Sequence, residues 1–168
     1  MQIRISRSIV VFVMVVGLTA LAVACASNKA GRARKEEQTE HISVVELTAP
    51  ARAAVEKLTT GGKVEKIDKE VEKGRTVYDV EATVNGKHVE YVIATDGEIV
   101  GTETSVEFNE LPEVIRDAAG KYFGGTAGLG AAKGVEDGRT TYEIEGKRDG
   151  KKVAATFDET GKLVEEEK

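Results

Sequence analysis

The chain has 168 residues, with 29 Asp and Glu against 24 Lys and Arg, one cysteine, two prolines and no tryptophan. That length holds one domain or two very small ones, since a domain takes ~100–200 residues. Charged residues make up 32% and aromatics 5%, so any core is aliphatic and modest. A multi-domain enzyme, a disulfide scaffold and a multi-span membrane protein are all excluded.

The first segment reads as an address. Arg4 and Arg7 precede an unbroken apolar run from Ile9 to Leu18, and Thr19, Ala20, Ala22 and Ala24 follow. This is the order of a secretory signal peptide, assigned to residues 1–24. The uncharged stretch from Ser8 to Asn28 is also long enough for an uncleaved anchor. Leu21-Ala22-Val23-Ala24-Cys25-Ala26 resembles the bacterial lipobox, with the leucine one place further back than usual. Cys25 is thus the expected lipid attachment site, because a lone cysteine at this place has no intramolecular disulfide partner. Stable anchoring takes more than one acyl chain, which lipoprotein processing supplies. The resemblance implies a cell-envelope lipoprotein facing the periplasm. Ala26 in place of Asp points to the outer membrane. Ordinary cleavage after Ala24 or Ala26, giving a soluble secreted form, is the alternative. Residues 25–45 then form the lipidated cysteine and a polar tether, whose composition buries too little to fold. Loss of residues 1–24 removes two arginines and no acid, so the net charge moves from −5 to −7. That balance argues against nucleic acid as a partner.

The remainder is one unit written twice. Shifting the chain by 64 positions sets residues 46–103 on 110–167 with 20 identities in 58 positions and no gap. Gly74-Arg75-Thr76 meets Gly138-Arg139-Thr140, and Asn85-Gly86-Lys87 meets Asp149-Gly150-Lys151. The units are assigned to residues 46–104 and 105–168. Each opens with a helix: Ala51, Ala54, Val55 and Leu58 in the first, and Val114, Ile115, Ala118, Ala119 and Tyr122 in the second, follow helical spacing. Asn109 and Pro112 suit the start of the second helix. Gly61-Gly62 and Gly124-Gly125 suit the two ends.

Strands follow. Asn-Gly and Asp-Gly are strong signals for two-residue hairpins, and such a loop fixes the register. Ala82 then faces Val89, Val80 faces Tyr91 and Tyr78 faces Ile93. In the second copy Gly146 faces Val153, Ile144 faces Ala155 and Tyr142 faces Phe157. Gly97 closes a three-residue loop that sets Ile99 opposite Ile93. Residues 64–72 and 129–136 supply one more strand each. The expected fold class is therefore α+β: two tandem repeats, each an N-terminal helix packed on one face of an antiparallel sheet of about four strands.

The opposite face of each hairpin is polar. It carries Asp79, Glu81 and Glu90 in the first unit and Glu143, Glu145 and Asp158 in the second, with Glu81 directly facing Glu90. Such a face on an antiparallel sheet is ordinarily its wet side. The functional alternative is an acidic surface for a basic partner or cations, and these six residues are its candidates. Without Trp, Tyr or Phe the face has no anchor for a tight aromatic interface.

Catalytic and metal chemistry is not indicated. His41 and His88 stand far apart with no cysteine left to join them, so zinc-ligand spacing is missing. The glycine-rich stretch from Gly124 to Gly134 is not the phosphate-loop pattern, and it follows a helix where that loop follows a strand. No cofactor, metal or catalytic residue is expected, and the chain is read as a non-enzyme.

Leu111-Pro112, Tyr142-Glu143-Ile144, Asp149-Gly150-Lys151 and Phe157-Asp158, with Tyr78-Asp79-Val80, Asn85-Gly86-Lys87 and Asp96-Gly97 in the first copy, resemble PepSY-like domains. The resemblance covers about residues 46–167. It implies a fold similar to the tandem beta-lactamase inhibitor protein, an exported location, and a role in binding or inhibiting a protein or peptidase partner. The competing expectation is an acidic module of the envelope that senses a ligand or cation.

Overall fold

The computed structural model describes residues 39–72 and 74–167. Cys25, the signal assigned to residues 1–24 and most of the tether lie outside the described residues. Among the described residues no helix is long and apolar enough to cross a membrane.

In chain order the elements are β1 (Glu40–His41), α1 (Ala49–Leu58), β2 (Lys63–Glu72), β3 (Arg75–Val84), β4 (Lys87–Ala94), β5 (Ile99–Val106), α2 (Glu113–Phe123), β6 (Gly130–Glu136), β7 (Arg139–Arg148), β8 (Lys151–Asp158) and β9 (Leu163–Glu167). All nine strands form a single antiparallel sheet in simple sequence order. This corrects the expected α+β class of two tandem repeats, each a helix on an antiparallel sheet of about four strands, for which the sequence leaves open whether the two sheets are continuous. The fold is mostly β, with two short helices. The reason lies in the outer edge of β5, a row of N–H and C=O groups that a closed four-stranded sheet would leave unpaired. It pairs instead with β6, from Gly101↔Glu136 to Val106↔Ala131. The boundary at 104/105 falls inside β5. Residues 40–41, expected in the tether, pair with β2, and the Ile42 amide donates to the Ile67 carbonyl at 3.0 Å.

Within each hairpin the residues pair as the turns require. Asn85 and Asp149 take φ of 52° and are followed by Gly86 and Gly150 at 77°, the left-handed pair of a type I′ turn. The facing pairs are Tyr78↔Ile93, Val80↔Tyr91 and Ala82↔Val89, then Tyr142↔Phe157, Ile144↔Ala155 and Gly146↔Val153. Ile99 and Leu163 pair with Ile93 and Phe157.

Both helices cover the same face of the sheet. Ala51 and Val55 of α1 pack with Ile67, Tyr78, Val80 and Ile93, together with Ile42 and Leu47. Ile115 and Ala119 of α2 pack with Leu111, Ala131, Tyr142, Ile144, Ala155 and Phe157. Burying each aliphatic side chain of this size is worth about 1.5–3 kcal/mol, and that holds short helices which are marginal alone.

Two further devices are duplicated, which accounts for identities that packing alone leaves unexplained. Arg52 reaches back to donate to the Leu47 carbonyl at 3.2 Å, and Arg116 to the Leu111 and Asn109 carbonyls at 3.0 and 2.9 Å. Each arginine thus ties the turn before the helix to the helix itself. Gly97 and Gly161 have φ of 89° and 80°, and each lies against the first turn of its helix. A Cβ on Gly97 would stand 2.9 Å from the Pro50 carbonyl oxygen, and one on Gly161 3.0 Å from that of Val114. Gly97→Ala is expected to cost about 1–3 kcal/mol, since an unfavourable φ and a backbone clash add. Denaturant unfolding checks this; an unchanged midpoint would contradict the contact.

Candidate functional site

Because side chains alternate along a strand, everything off the helix side projects to the helix-free face. Asp79 and Glu81 on β3 stand beside Val92 and Glu90 on β4. Glu90 pairs with Glu103 on β5, and Glu103 pairs with Gly134 on β6. Ala132 on β6 pairs with Glu143 on β7, which pairs with Thr156 on β8; Thr156 pairs with Glu165 on β9. The β5–β6 seam therefore merges two acidic patches into one row of carboxyls crossing the sheet.

This row is not the wet side of the sheet. Glu90, Glu103 and Glu143 are only 6%, 8% and 5% exposed, and Val77, Val92, Ala94 and Ala132 on the same face are buried too. Asp79 Oδ1 and Glu103 Oε1 are buried and meet no hydrogen-bond donor among the described residues.

Electrostatics follow from that burial. Removal from water, then repulsion from Glu143, Glu145 and Asp79, pushes the Glu103 carboxyl up to about 8. Burial and the Glu145 charge push Glu143 up to about 8. Burial first, then the Glu90 charge, raises Asp79, and burial and the Glu103 charge raise Glu90, against which the hydrogen bond with Asp79 pulls it down. Neighbouring carboxyls that titrate together share protons as a set, so the row is best treated as one titrating unit.

Of the six candidate residues, the structure brings Asp79, Glu90 and Glu143 into the row. Glu81 lies beside it, half-buried, with its Oε1 3.4 Å from Lys66 Nζ. Lys66 also holds the buried Asp68 at 2.5 Å, so it neutralises the β2 end of the face. Glu145 flanks the row between Gly130 and Ala154. Asp158 has a different task. Its Oδ1 accepts from Thr160 N, Thr160 Oγ1 and Lys162 N at 2.9, 2.6 and 3.1 Å, closing the β8–β9 turn, and these bonds lower its pKa. Glu103 was missed because it lies outside both hairpins. Carrying the Gly97 loop register past the bulge after Ile99 would have set Gly101 and Glu103 on the face of Glu90.

Among the described residues no three His, Cys, Asp or Glu side chains converge as a metal ion requires. The arrangement offers spaced carboxyls rather than a single chelating point.

The sign of the pH dependence follows from the raised values. Between the unfolded value of about 4.3 for Glu and the folded value of about 8, the folded row holds protons that the unfolded chain has released. Its stabilisation is complete below the lower value and is lost as pH rises through the upper one. The thermal midpoint is expected to fall by several degrees between pH 5 and pH 9 at constant ionic strength. Glu103→Gln, which removes a buried charge and keeps the shape, should raise the midpoint at pH 8 and flatten the profile. A midpoint that rises over this range would overturn the burial of the row.

Comparison with known proteins gives one family-model match over part of the chain and several solved structures of similar fold. Residues 49–103 match the family model described as PepSY, peptidase propeptide and YPEB domain. No curated protein matches the chain. A protein of Bacteroides eggerthii, provisionally described as periplasmic, has a similar structure, with TM-score 0.57 and 15% identity over 72% of this chain and 88% of that one. A DUF2874 family protein of Bacteroides uniformis gives 0.55 and 14%, over 71% and 87%. A BLIP-like protein of Bacteroides fragilis gives 0.53 and 22%, over 72% and 85%. These likenesses show the fold. The span that this family model matches runs from the start of α1 through β2, β3 and β4 into β5 and ends at Glu103, on the seam between the two halves.

Proposed function

We propose that this chain is an exported, non-catalytic module of the cell envelope that binds a basic segment of a protein or peptidase partner on its helix-free face. The carrying observation is the carboxyl row from Asp79 to Glu143, in which Glu103 Oε1 is buried without a donor among the described residues. Buried carboxyls gain most from a cation that arrives with its own hydrogen-bond donors. Lysine or arginine side chains of a partner supply both. The PepSY match and the periplasmic and BLIP-like descriptions of proteins with this fold support an envelope binding role. The sheet lacks an aromatic anchor on this face, so the partner is held by charge and salt weakens it.

Capture from solubilised envelopes with the tagged chain tests this. The expected result is a reproducible partner whose recovery falls with added salt and falls several-fold with Glu103→Gln or Glu143→Gln. Recovery of nothing above a Glu→Gln control at physiological salt would overturn the reading. The membrane anchor is a separate part of the proposal. Mass spectrometry of the membrane fraction is expected to find the acylated N-terminus at Cys25, and Cys25→Ser should release the chain in soluble form. A native chain that is soluble and unacylated would remove the anchor.

A further inference from the structure

The helix-free face has a floor as well as a rim of charge. Between Glu103 and Glu143 strand β6 contributes only Gly134 and Ala132. Next to Val92 on β4, strand β5 contributes Gly101. The result is a shallow trough with carboxyls on β3, β4, β5 and β7, where the middle of β6 adds only a glycine and an alanine and Glu136 stands at its end, opposite Gly101. Adjacent strands lie about 4.8 Å apart. Glu90 and Glu103 are directly opposed across one such step. Asp79 is diagonal to Glu90, one strand further out. Glu143 lies two strands beyond Glu103.

Ligand classes can be separated on this geometry. A single metal ion needs three or more ligands meeting at a point, and among the described residues none do. A quaternary ammonium group needs an aromatic cage, and Tyr78, Tyr142 and Phe157 all belong to the cores under the helices. Anions are repelled. A thin chain carrying N–H donors at strand spacing meets the remaining demands. Nitrogens separated by three methylenes stand about 5 Å apart by ordinary C–C and C–N bond lengths, close to the step between Glu90 and Glu103. Such a chain brings a donor to Glu103 Oε1, which is without one among the described residues and belongs to a side chain 8% exposed. Its methylenes lie over Ala132 and beside Gly134, where the Thr141 hydroxyl stands 2.9 Å from the place a Cβ would take.

We propose that the trough along Asp79, Glu90, Glu103 and Glu143 is a binding site for a linear oligoamine, a chain of primary and secondary ammonium groups separated by three or four methylenes. This rests on the reading of the helix-free face as the recognition surface, and it makes the oligoamine a competitor of the basic protein segment. Binding is proton-linked: each ammonium that pairs with the row favours the carboxylate, so protons leave the row for the buffer.

The test is calorimetric titration of the full chain in detergent micelles with norspermidine, at pH 7.5 and fixed ionic strength, in two buffers of different ionisation enthalpy. Expected are saturable binding at least tenfold tighter than for propylamine or magnesium, and proton release between the buffers. Glu103→Gln and Glu143→Gln should each lower the affinity at least tenfold without lowering the thermal midpoint, and Asp158→Asn, in the β8–β9 turn, should leave the affinity unchanged. No saturable heat, equal affinity for magnesium, or unchanged affinity in Glu103→Gln would overturn the proposal. Capture of an envelope partner without norspermidine binding would sink the oligoamine site and leave the partner reading standing. Norspermidine binding without any captured partner would do the reverse.

Discussion

The pairing of β5 with β6 is the contact on which the remaining organisation depends. Each half of the chain supplies a helix and a hairpin-built set of strands, and each has its own apolar cluster. The two clusters have no residue in common. What joins the halves is a run of backbone pairs from Gly101↔Glu136 to Val106↔Ala131. A unit of this size buries a small share of its surface and is marginal alone. Shared ladder hydrogen bonds relieve that, because they remove two sheet edges at once.

The same pairing creates the unusual electrostatics. With two separate sheets, Glu103 would sit on an outer strand, its carboxyl turned to water. Joined, it lies between Glu90 on one side and Gly134 on the other, and the acids of the second half enter its field. Like charges directly opposed across strands cost stability, and burial adds to that cost. A face that when free must hold either protons or unfavourable charge gains on meeting a cation. Stability and recognition therefore pull in opposite directions here, as they do at many binding sites.

Much of the local structure was legible in the sequence, and the reason is stereochemical. The Asn85-Gly86 and Asp149-Gly150 turns leave one choice of register, and one test, the gathering of Tyr78, Val80, Tyr142 and Ile144 on a single side, confirms it. The duplicated glycines at 97 and 161 mark where backbone must approach a helix. Joining the sheets was not legible in the same way. Residues 107–129 separate β5 from β6, and no turn chemistry specifies which edge the returning strand meets. With the join left open, so is the acidic row: alternation within the two hairpins yields Asp79, Glu90 and Glu143 as two patches, does not reach Glu103, and includes Asp158, which Thr160 and Lys162 recruit to a turn.

The seam places Glu103 and Glu143 in a single buried row. Carboxyl carbon NMR, titrated residue by residue, reads it directly. The row predicts midpoints near or above 7 for Glu90, Glu103 and Glu143, with Glu143→Gln lowering the midpoint of Glu103. Midpoints close to about 4.3, the value of a free Glu, or a Glu103 indifferent to residue 143, would contradict it.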